Sequence, residues 1–264
     1  METNNVCGVE ISHAKKVLID KPKITKLDIA KYYDICASKM LKFLKNRPIS
    51  VIRCHKSGEK FYKKHAQISD DVERFYLGKK CPKNEYFYIK NKKQLIKQIQ
   101  LGTVEFHAWN CVVTDLVHPD FMIFDLDPDE NVTFKTLTYA TKLVKKTLNK
   151  LGFLCFLKTS GGKGYHIYAK ISNLTYYEVN KISKQIAQIL EQNYPDIFVS
   201  NVSKQKRKNK IFIDYLRNKR GATCASFYCL RLREKAPVSM KIAWNKLDQI
   251  KPNPITIKNF EKYV

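Results

Sequence analysis

Two apolar runs in the second half of the chain each stop on an aspartate, and this constrains the fold more than any bulk property does. Phe121-Met-Ile-Phe-Asp-Leu-Asp127 leads into Pro128, and Ile211-Phe-Ile-Asp214 leads into Tyr215. Runs this short and this apolar predict buried strands, over Phe121 to Leu126 and Ile211 to Tyr215. Side chains alternate across a sheet, so Asp125 and Asp127 emerge on the same face. Two ionised carboxylates on one face repel, and the arrangement is costly without a cation. A divalent metal removes that cost. With Asp214 added from a neighbouring strand, three acids can hold two metal ions about 3.5–4 Å apart, the arrangement used in phosphoryl transfer. The plainer alternative, acids serving a turn or a cap, stays open on this motif alone, because Pro128-Asp129 marks a turn.

Between the two acidic strand ends lies Ser160-Gly-Gly-Lys-Gly-Tyr-His166. Its glycines, Gly161, Gly162 and Gly164, let the backbone approach a ligand closely and aim N–H groups at an anion. Lys163 adds charge, and Ser160 and His166 add donors. The spacing is not that of a P-loop, and the segment joins two strands where a P-loop joins a strand to a helix. An ordinary glycine-rich hairpin is the alternative.

Around these motifs the chain reads as mixed α/β. Ile29, Tyr33, Cys36, Met40 and Leu44 recur at helical spacing, which predicts a helix over Thr25 to Leu44 with Thr25 as cap. Strands follow at Ile49 to Arg53, Tyr86 to Ile89 and Thr103 to His107, with a short helix from Lys92 to Leu101. Ser69 to Lys83 shows no period and reads mostly as loop. Thr133 caps a helix whose apolar face is Phe134, Leu137, Thr141, Val144, Leu148 and Leu151. Strands over Phe153 to Lys158 and Tyr165 to Lys170 flank the glycine turn. Thr175 and Glu178 form a capping box, opening a helix with Val179, Ile182, Ile186 and Leu190 inward. Strand, helix, strand, turn, strand, helix, strand predicts a sheet like that of an RNA-recognition motif, with a site on its open face. With no internal repeat or flexible linker, residues 1–264 read as one domain, with an N-terminal part at about 1–110 and the acid-bearing sheet at about 111–250.

Charge supplies the partner class. Forty-nine Lys and Arg against 24 Asp and Glu give a formal net charge of +25. Such an excess favours contact with a polyanion, nucleic acid first. An AT-rich coding sequence, which raises lysine content, is the other source of that excess. No apolar run approaches the length of a membrane span, and Met1 to Val9 lacks the features of a signal peptide, so the cytoplasm is expected. The eight cysteines contain no C-x-x-C pair. The spacing of Cys54, His55, His65 and Cys81 matches no familiar metal pattern, and in a cytosolic chain reduced thiols are expected.

The order Asp-x-Asp, Ser-Gly-Gly-Lys-Gly-x-His, apolar-apolar-Asp resembles the three motifs of the archaeo-eukaryotic primase superfamily. Ile11-Ser-His-Ala-Lys-Lys-Val-Leu18, Arg47-Pro48, Phe61-Tyr-Lys-Lys-His65, Thr103-Val-Glu-Phe-His-Ala-Trp109, Asp214-Tyr-Leu-Arg-Asn218 and Ala236-Pro-Val-Ser239 resemble the polymerase domain of bacterial ligase D and its archaeal relatives. The likeness runs from about Ile11 to Leu247. It implies the primase fold, with Asp125, Asp127 and Asp214 as the metal-binding catalytic acids. Two divalent ions are implied, manganese ahead of magnesium. Ser160, Gly161, Gly162, Lys163 and His166 match the triphosphate loop, Arg207 and Arg231 match basic residues that contact the nucleotide, and His107 matches a histidine near its sugar. Lys16 and Lys26 match lysines that hold a downstream 5′-phosphate, Phe61 and Tyr62 an aromatic pair that stacks on template bases, and Arg53 joins them as a DNA contact. Tyr165 departs from the usual leucine, and Tyr62 from the usual phenylalanine. The implied activity is template-directed addition of nucleotides, ribonucleotides preferred, that fills gaps and extends 3′ ends in non-homologous end joining. An ATP-dependent ligase and a Ku-type protein would act in trans, since no Lys-x-Asp-Gly ligase motif is present. A monomer is expected, with pairing across a break left open. De novo priming and non-catalytic end bridging are the alternatives.

Overall fold

The computed structural model describes residues 4–54, 59–65 and 71–263. The chain forms two compact units. One comprises Met1–Trp109, Ala225–Ser239 and Ile255–Val264; the other comprises Asn110–Cys224 and Met240–Pro254. Family-like motifs in the C-terminal stretch are therefore shared out between units, a division that no composition shift announces.

In the first unit, helix α1 (Lys26–Leu44) starts with the reciprocal bonds of a capping box: the Thr25 hydroxyl accepts from Asp28 N–H, and Asp28 accepts from Thr25 N–H at 2.8 Å. Its buried stripe contains Ile29, Tyr33, Cys36, Met40 and Leu44, as the spacing predicts. Two tyrosines on α1 tie the returning C-terminal segment to this core. Tyr32 donates to the Tyr228 carbonyl at 2.8 Å, while Tyr33 donates to the Val104 carbonyl and accepts from Leu230 N–H. Strand Ile49–Cys54 runs antiparallel to both Thr103–Ala108 and Lys60–Lys63, and meets Glu85–Tyr88 at Ile49. Helix α2 (Lys92–Gln100), capped by the Asn91 side chain, precedes Thr103–Ala108.

The stretch read mostly as loop contains a strand, Glu73–Tyr76, antiparallel to Glu85–Tyr88. Its residues are all half-buried or exposed, so no alternation marks it in the sequence. Cross-strand contacts support it instead: Phe75 stacks on Tyr86 with ring centroids 5.8 Å apart, and Arg74 pairs with Glu85. Ser69 and Asp70 lie outside the described residues.

The second unit is built on a six-stranded sheet in the order Phe198–Val199, Ile211–Asp214, Phe121–Pro128, Tyr165–Lys170, Cys155–Thr159, Lys241–Ile242. Every pairing is antiparallel except the first. Helix α3 (Phe134–Lys150) follows the central strand, and α4 (Tyr176–Asn193) follows Tyr165–Lys170. The four core strands therefore follow the β-α-β-β-α-β order of ferredoxin-like and RNA-recognition-motif sheets. Leu137, Thr141, Val144 and Leu148 of α3 and Val179, Ile186 and Leu190 of α4 are buried. Leu151, expected to end the α3 stripe, is the C-cap residue and is 55% exposed; Ile182 is only half-buried. On the central strand Met122, Phe124 and Leu126 are buried, and the alternate face carries Asp125 and Asp127. No helix among the described residues is long and apolar enough to cross a membrane.

Candidate active site

The sheet register sets the site of the second unit. Asp125 lies directly opposite Asp214 on one side and His166 on the other, and His166 lies opposite Lys158. Directly paired residues share a face with Cβ atoms only about 5 Å apart. One row across four strands thus reads Lys158, His166, Asp125, Asp214, with Asp127 two residues along on the same face. His166 Nε2 is 3.3 Å from Asp125 Oδ1, and its Nδ1 is 3.0 Å from the Cys224 sulfur. Beyond the second strand end, Asp214 Oδ1 accepts from Leu216 N–H at 2.8 Å and turns the chain into the 3-10 helix Leu216–Asn218. Asn218, fully buried, exchanges two hydrogen bonds with the Ile123 backbone. This clamp fixes the turn to the central strand and brings Arg217 back over the acids. Arg217 Nε is 3.4 Å from Asp125 Oδ2 and 3.2 Å from Asp214 Oδ2. Arg207 stacks its guanidinium 3.7 Å above the Phe212 ring centroid and points Nη1 to within 3.7 Å of Asp127.

The acids are not equivalent. Burial pushes the Asp125 carboxyl up, but His166, Arg217 and Lys158 outweigh it and hold it well below the usual carboxylate range. Burial and the neighbouring Asp125 charge raise Asp127. Burial also raises Asp214, with Arg217 opposing it. His166 is held above its ordinary value by Asp125 and Cys224 against the effect of burial. Cys224, in turn, is drawn well below a normal thiol by His166 and Lys158, again against burial. The three acids offer oxygen donors only, the set that a hard divalent cation such as Mg²⁺ or Mn²⁺ prefers. Asp127 and Asp214, raised by burial and by the Asp125 charge, are the carboxylates short of positive charge. Among the described residues no three ligating side chains close round one point; Arg217 stands between two of the acids.

The glycine turn works differently from its sequence reading. The Ser160 hydroxyl oxygen accepts from Gly162 N–H at 3.0 Å and from Gly164 N–H at 3.2 Å, so these two donors face into the turn. Gly161 takes a left-handed conformation at φ +67°. Gly164 is required by close packing: a Cβ there would lie 1.7 Å from the Leu126 carbonyl oxygen on the acid-bearing strand. Lys163 is exposed at the tip. Tyr165, the departure from leucine, is fully buried and donates its hydroxyl to the Ile250 carbonyl.

In the first unit, His107 and Arg231 are joined through a residue with no assigned role. Glu105, 3% exposed, accepts from Arg231 Nε at 2.8 Å and from Leu232 N–H at 2.7 Å, and lies 2.9 Å from His107 Nε2. Burial raises its carboxyl, but His107 and Arg231 reverse this and bring it down to about 2. Lys16 and Lys26 share a cavity of about 580 Å³ with Ser12, His13 and Gln100. Lys26 donates to the Ser12 carbonyl, and burial together with the Lys16 charge lowers its pKa to about 8. Phe61 and Tyr62 are 41% and 47% exposed, with the Tyr62 ring edge-on to His107. Arg53 is a correction. It is 4% exposed and bonds Gln98 and Thr103, so its guanidinium braces the strand interior and is not presented to DNA. His65 bonds the Glu85 carbonyl, Cys54 is buried, and His55 lies outside the described residues.

Residues 25–264 match the family model described as LigD, primase-polymerase domain. The chain belongs to the LigD primase-polymerase domain family. The multifunctional non-homologous end joining protein LigD of Pseudomonas aeruginosa is 34% identical over 248 residues, which cover 92% of this chain and 30% of that protein. The bifunctional LigD of Bacillus subtilis is 27% identical over 90% of this chain and 39% of its own length. The chain thus spans about a third of these LigD relatives. The polymerase domain of Mycobacterium tuberculosis ligase D, solved in complex with DNA, superposes with a TM-score of 0.86 at 27% identity. That match covers 95% of this chain and 92% of the solved one. The primase fold expected from the motifs is therefore the observed one.

Each unit, taken by itself, also brings to its candidate residues side chains to which the motifs give no role. Glu105 shares a strand face with His107 two residues on, a signal available from alternation. Arg217 follows Asp214 by three residues, but its placement depends on the tight turn. Lys158 and Cys224 reach His166 only through strand register and chain return, which leave no local pattern.

Proposed function

We propose that this chain joins a nucleotide to a primer 3′-hydroxyl at gaps and broken ends of DNA, with ribonucleotides preferred. The carrying observation is the row Lys158, His166, Asp125, Asp214, which sets carboxylates of two neighbouring strands side by side on one face. Asp125, Asp127 and Asp214 would hold the divalent ions, manganese first. Bound there, such ions lower the pKa of the attacking hydroxyl and neutralise the leaving phosphates. His166 keeps Asp125 ionised and oriented. Ser160, Lys163 and Arg207 supply donors and positive charge for the triphosphate. His107 and Arg231, fixed by Glu105, are assigned to the nucleotide by resemblance.

For DNA, the Lys16–Lys26 cavity suits a terminal 5′-phosphate. Burial and the neighbouring Lys16 charge lower the Lys26 pKa, and a bound dianion would offset both. Phe61 and Tyr62, both exposed on strand Lys60–Lys63, offer π-faces to template bases. The end-joining relatives support a role in double-strand break repair, alongside ligase and Ku-type activities.

The test is extension of a primer across a gapped duplex, with and without a downstream 5′-phosphate, comparing NTPs with dNTPs and Mn²⁺ with Mg²⁺. Faster filling of the phosphorylated gap with NTPs and Mn²⁺ is expected. Equal rates with and without the phosphate would remove the end-repair reading while leaving polymerase chemistry standing.

A further inference from the structure

Arg217, which alone among the described residues forms ion pairs with two of the acids, is at odds with a site meant for cations. Its Nε lies within ion-pair distance of both Asp125 and Asp214, yet it is buried and makes no aligned hydrogen bond among the described residues. Charge holds it there, without the directional bonds of a bidentate pair. The side chain as a whole is 40% exposed, so it has a route out to solvent. Its backbone has none: the Asp214–Leu216 turn and the Asn218 clamp on Ile123 fix the segment to the central strand. The backbones of the acids are equally fixed by their strand register. The half-exposed guanidinium has room to change places.

The geometry points to Arg217 as a resident counter-ion that competes with the divalent cation for Asp125 and Asp214. This rests on the reading of these acids as the metal site. A guanidinium and a divalent cation cannot share the same two carboxylates without strong repulsion. Arg217 therefore stabilises the acid pair in the metal-free protein and weakens cation binding by the same interaction. An anion entering with the metal gives the guanidinium a second partner. Metal uptake is thereby linked to uptake of a phosphate-bearing ligand, since each favours the same position of Arg217.

The experiment is titration of the whole chain with Mn²⁺ alone, free ion being read by electron paramagnetic resonance, without nucleotide or DNA. R217Q is expected to bind Mn²⁺ about tenfold more tightly than the wild type, a difference of about 1.4 kcal/mol. R217K keeps the charge and is expected to stay within about threefold of the wild type. Unchanged or weaker binding by R217Q overturns the proposal, as does equal tightening in both variants, which would assign the effect to shape. Thermal melts guard against a variant that is merely less stable. The rise in Tm on adding Mn²⁺ is expected to be larger for R217Q than for the wild type, and an equal or smaller rise counts against the proposal. D125N separates the two failures: Mn²⁺ binding like the wild type would remove the metal reading itself, whereas lost binding leaves that reading intact whatever R217Q does.

Discussion

Replacing Glu105 by glutamine removes one charge from a site that is almost closed to water, and the structure allows the cost to be worked out. The carboxylate accepts from Arg231 and Leu232 and faces His107, at 3% exposure. These partners bring its pKa from 4.5 down to about 2. That depression corresponds to about 3 kcal/mol of stability at neutral pH. The sign follows from a depressed folded pKa. The contribution is complete above the unfolded value near 4.5 and drains away as pH falls towards about 2. Glutamine keeps an oxygen for the Leu232 N–H but leaves Arg231 and His107 without their anion. Glu105→Gln should therefore lose about 3 kcal/mol at neutral pH, with the gap to the wild type closing as pH falls below about 4.5. Urea unfolding followed by fluorescence of Trp109, in a Trp244→Phe background, reads the unit that carries Glu105. A loss under about 0.5 kcal/mol at neutral pH, or a gap that does not change with pH, would refute the reasoning.

Three other outcomes follow from particular contacts. Gly164→Ala must push the glycine turn off the Leu126 carbonyl, which a Cβ would meet at 1.7 Å, so a loss of roughly 3 kcal/mol or more is expected in chemical denaturation; a loss under about 1 kcal/mol would contradict the close approach. Lys26 loses its proton as pH rises through about 8, so discrimination between 5′-phosphorylated and unphosphorylated gaps should weaken over that range in fluorescence anisotropy, and pH-independent discrimination would remove Lys26 from the phosphate site. Reversing charge at both Lys16 and Lys26 should lower the slope of log affinity against log salt by about two units for a phosphorylated gap, and an unchanged slope would show that neither lysine meets phosphate.

Much of this architecture is legible in the chain because its elements carry local signals. The capping boxes at Thr25–Asp28 and Thr175–Glu178 and the apolar stripes behind them mark helices whose stability comes from one buried face. The period-2 alternation of Phe124, Asp125, Leu126 and Asp127 marks the acid-bearing face. Strand Glu73–Tyr76 is illegible for the opposite reason: neither of its faces is buried, so nothing alternates. Arg53 misleads because a lone arginine reads as surface, yet Gln98 and Thr103 satisfy its donors inside the unit. The glycine turn spells an anion cradle in sequence, but the Gly162 and Gly164 N–H groups bind Ser160, and Gly164 also packs against Leu126. Lys158, Cys224 and Arg217 enter the site through register and chain return, and no single segment encodes either.

The central claim is that Asp125, Asp127 and Asp214 act together in metal-dependent nucleotide addition. Primer extension on a template with NTPs and Mn²⁺ tests it most directly, with wild type beside Asp125→Ala, Asp127→Ala and Asp214→Ala, each checked for folding by circular dichroism. The wild type should extend the primer, and each variant should lose about a thousandfold in rate, the equivalent of several kcal/mol of lost metal-assisted stabilisation. A folded wild type that adds no nucleotide, or an Asp125→Ala chain that extends as fast as the wild type, would contradict it.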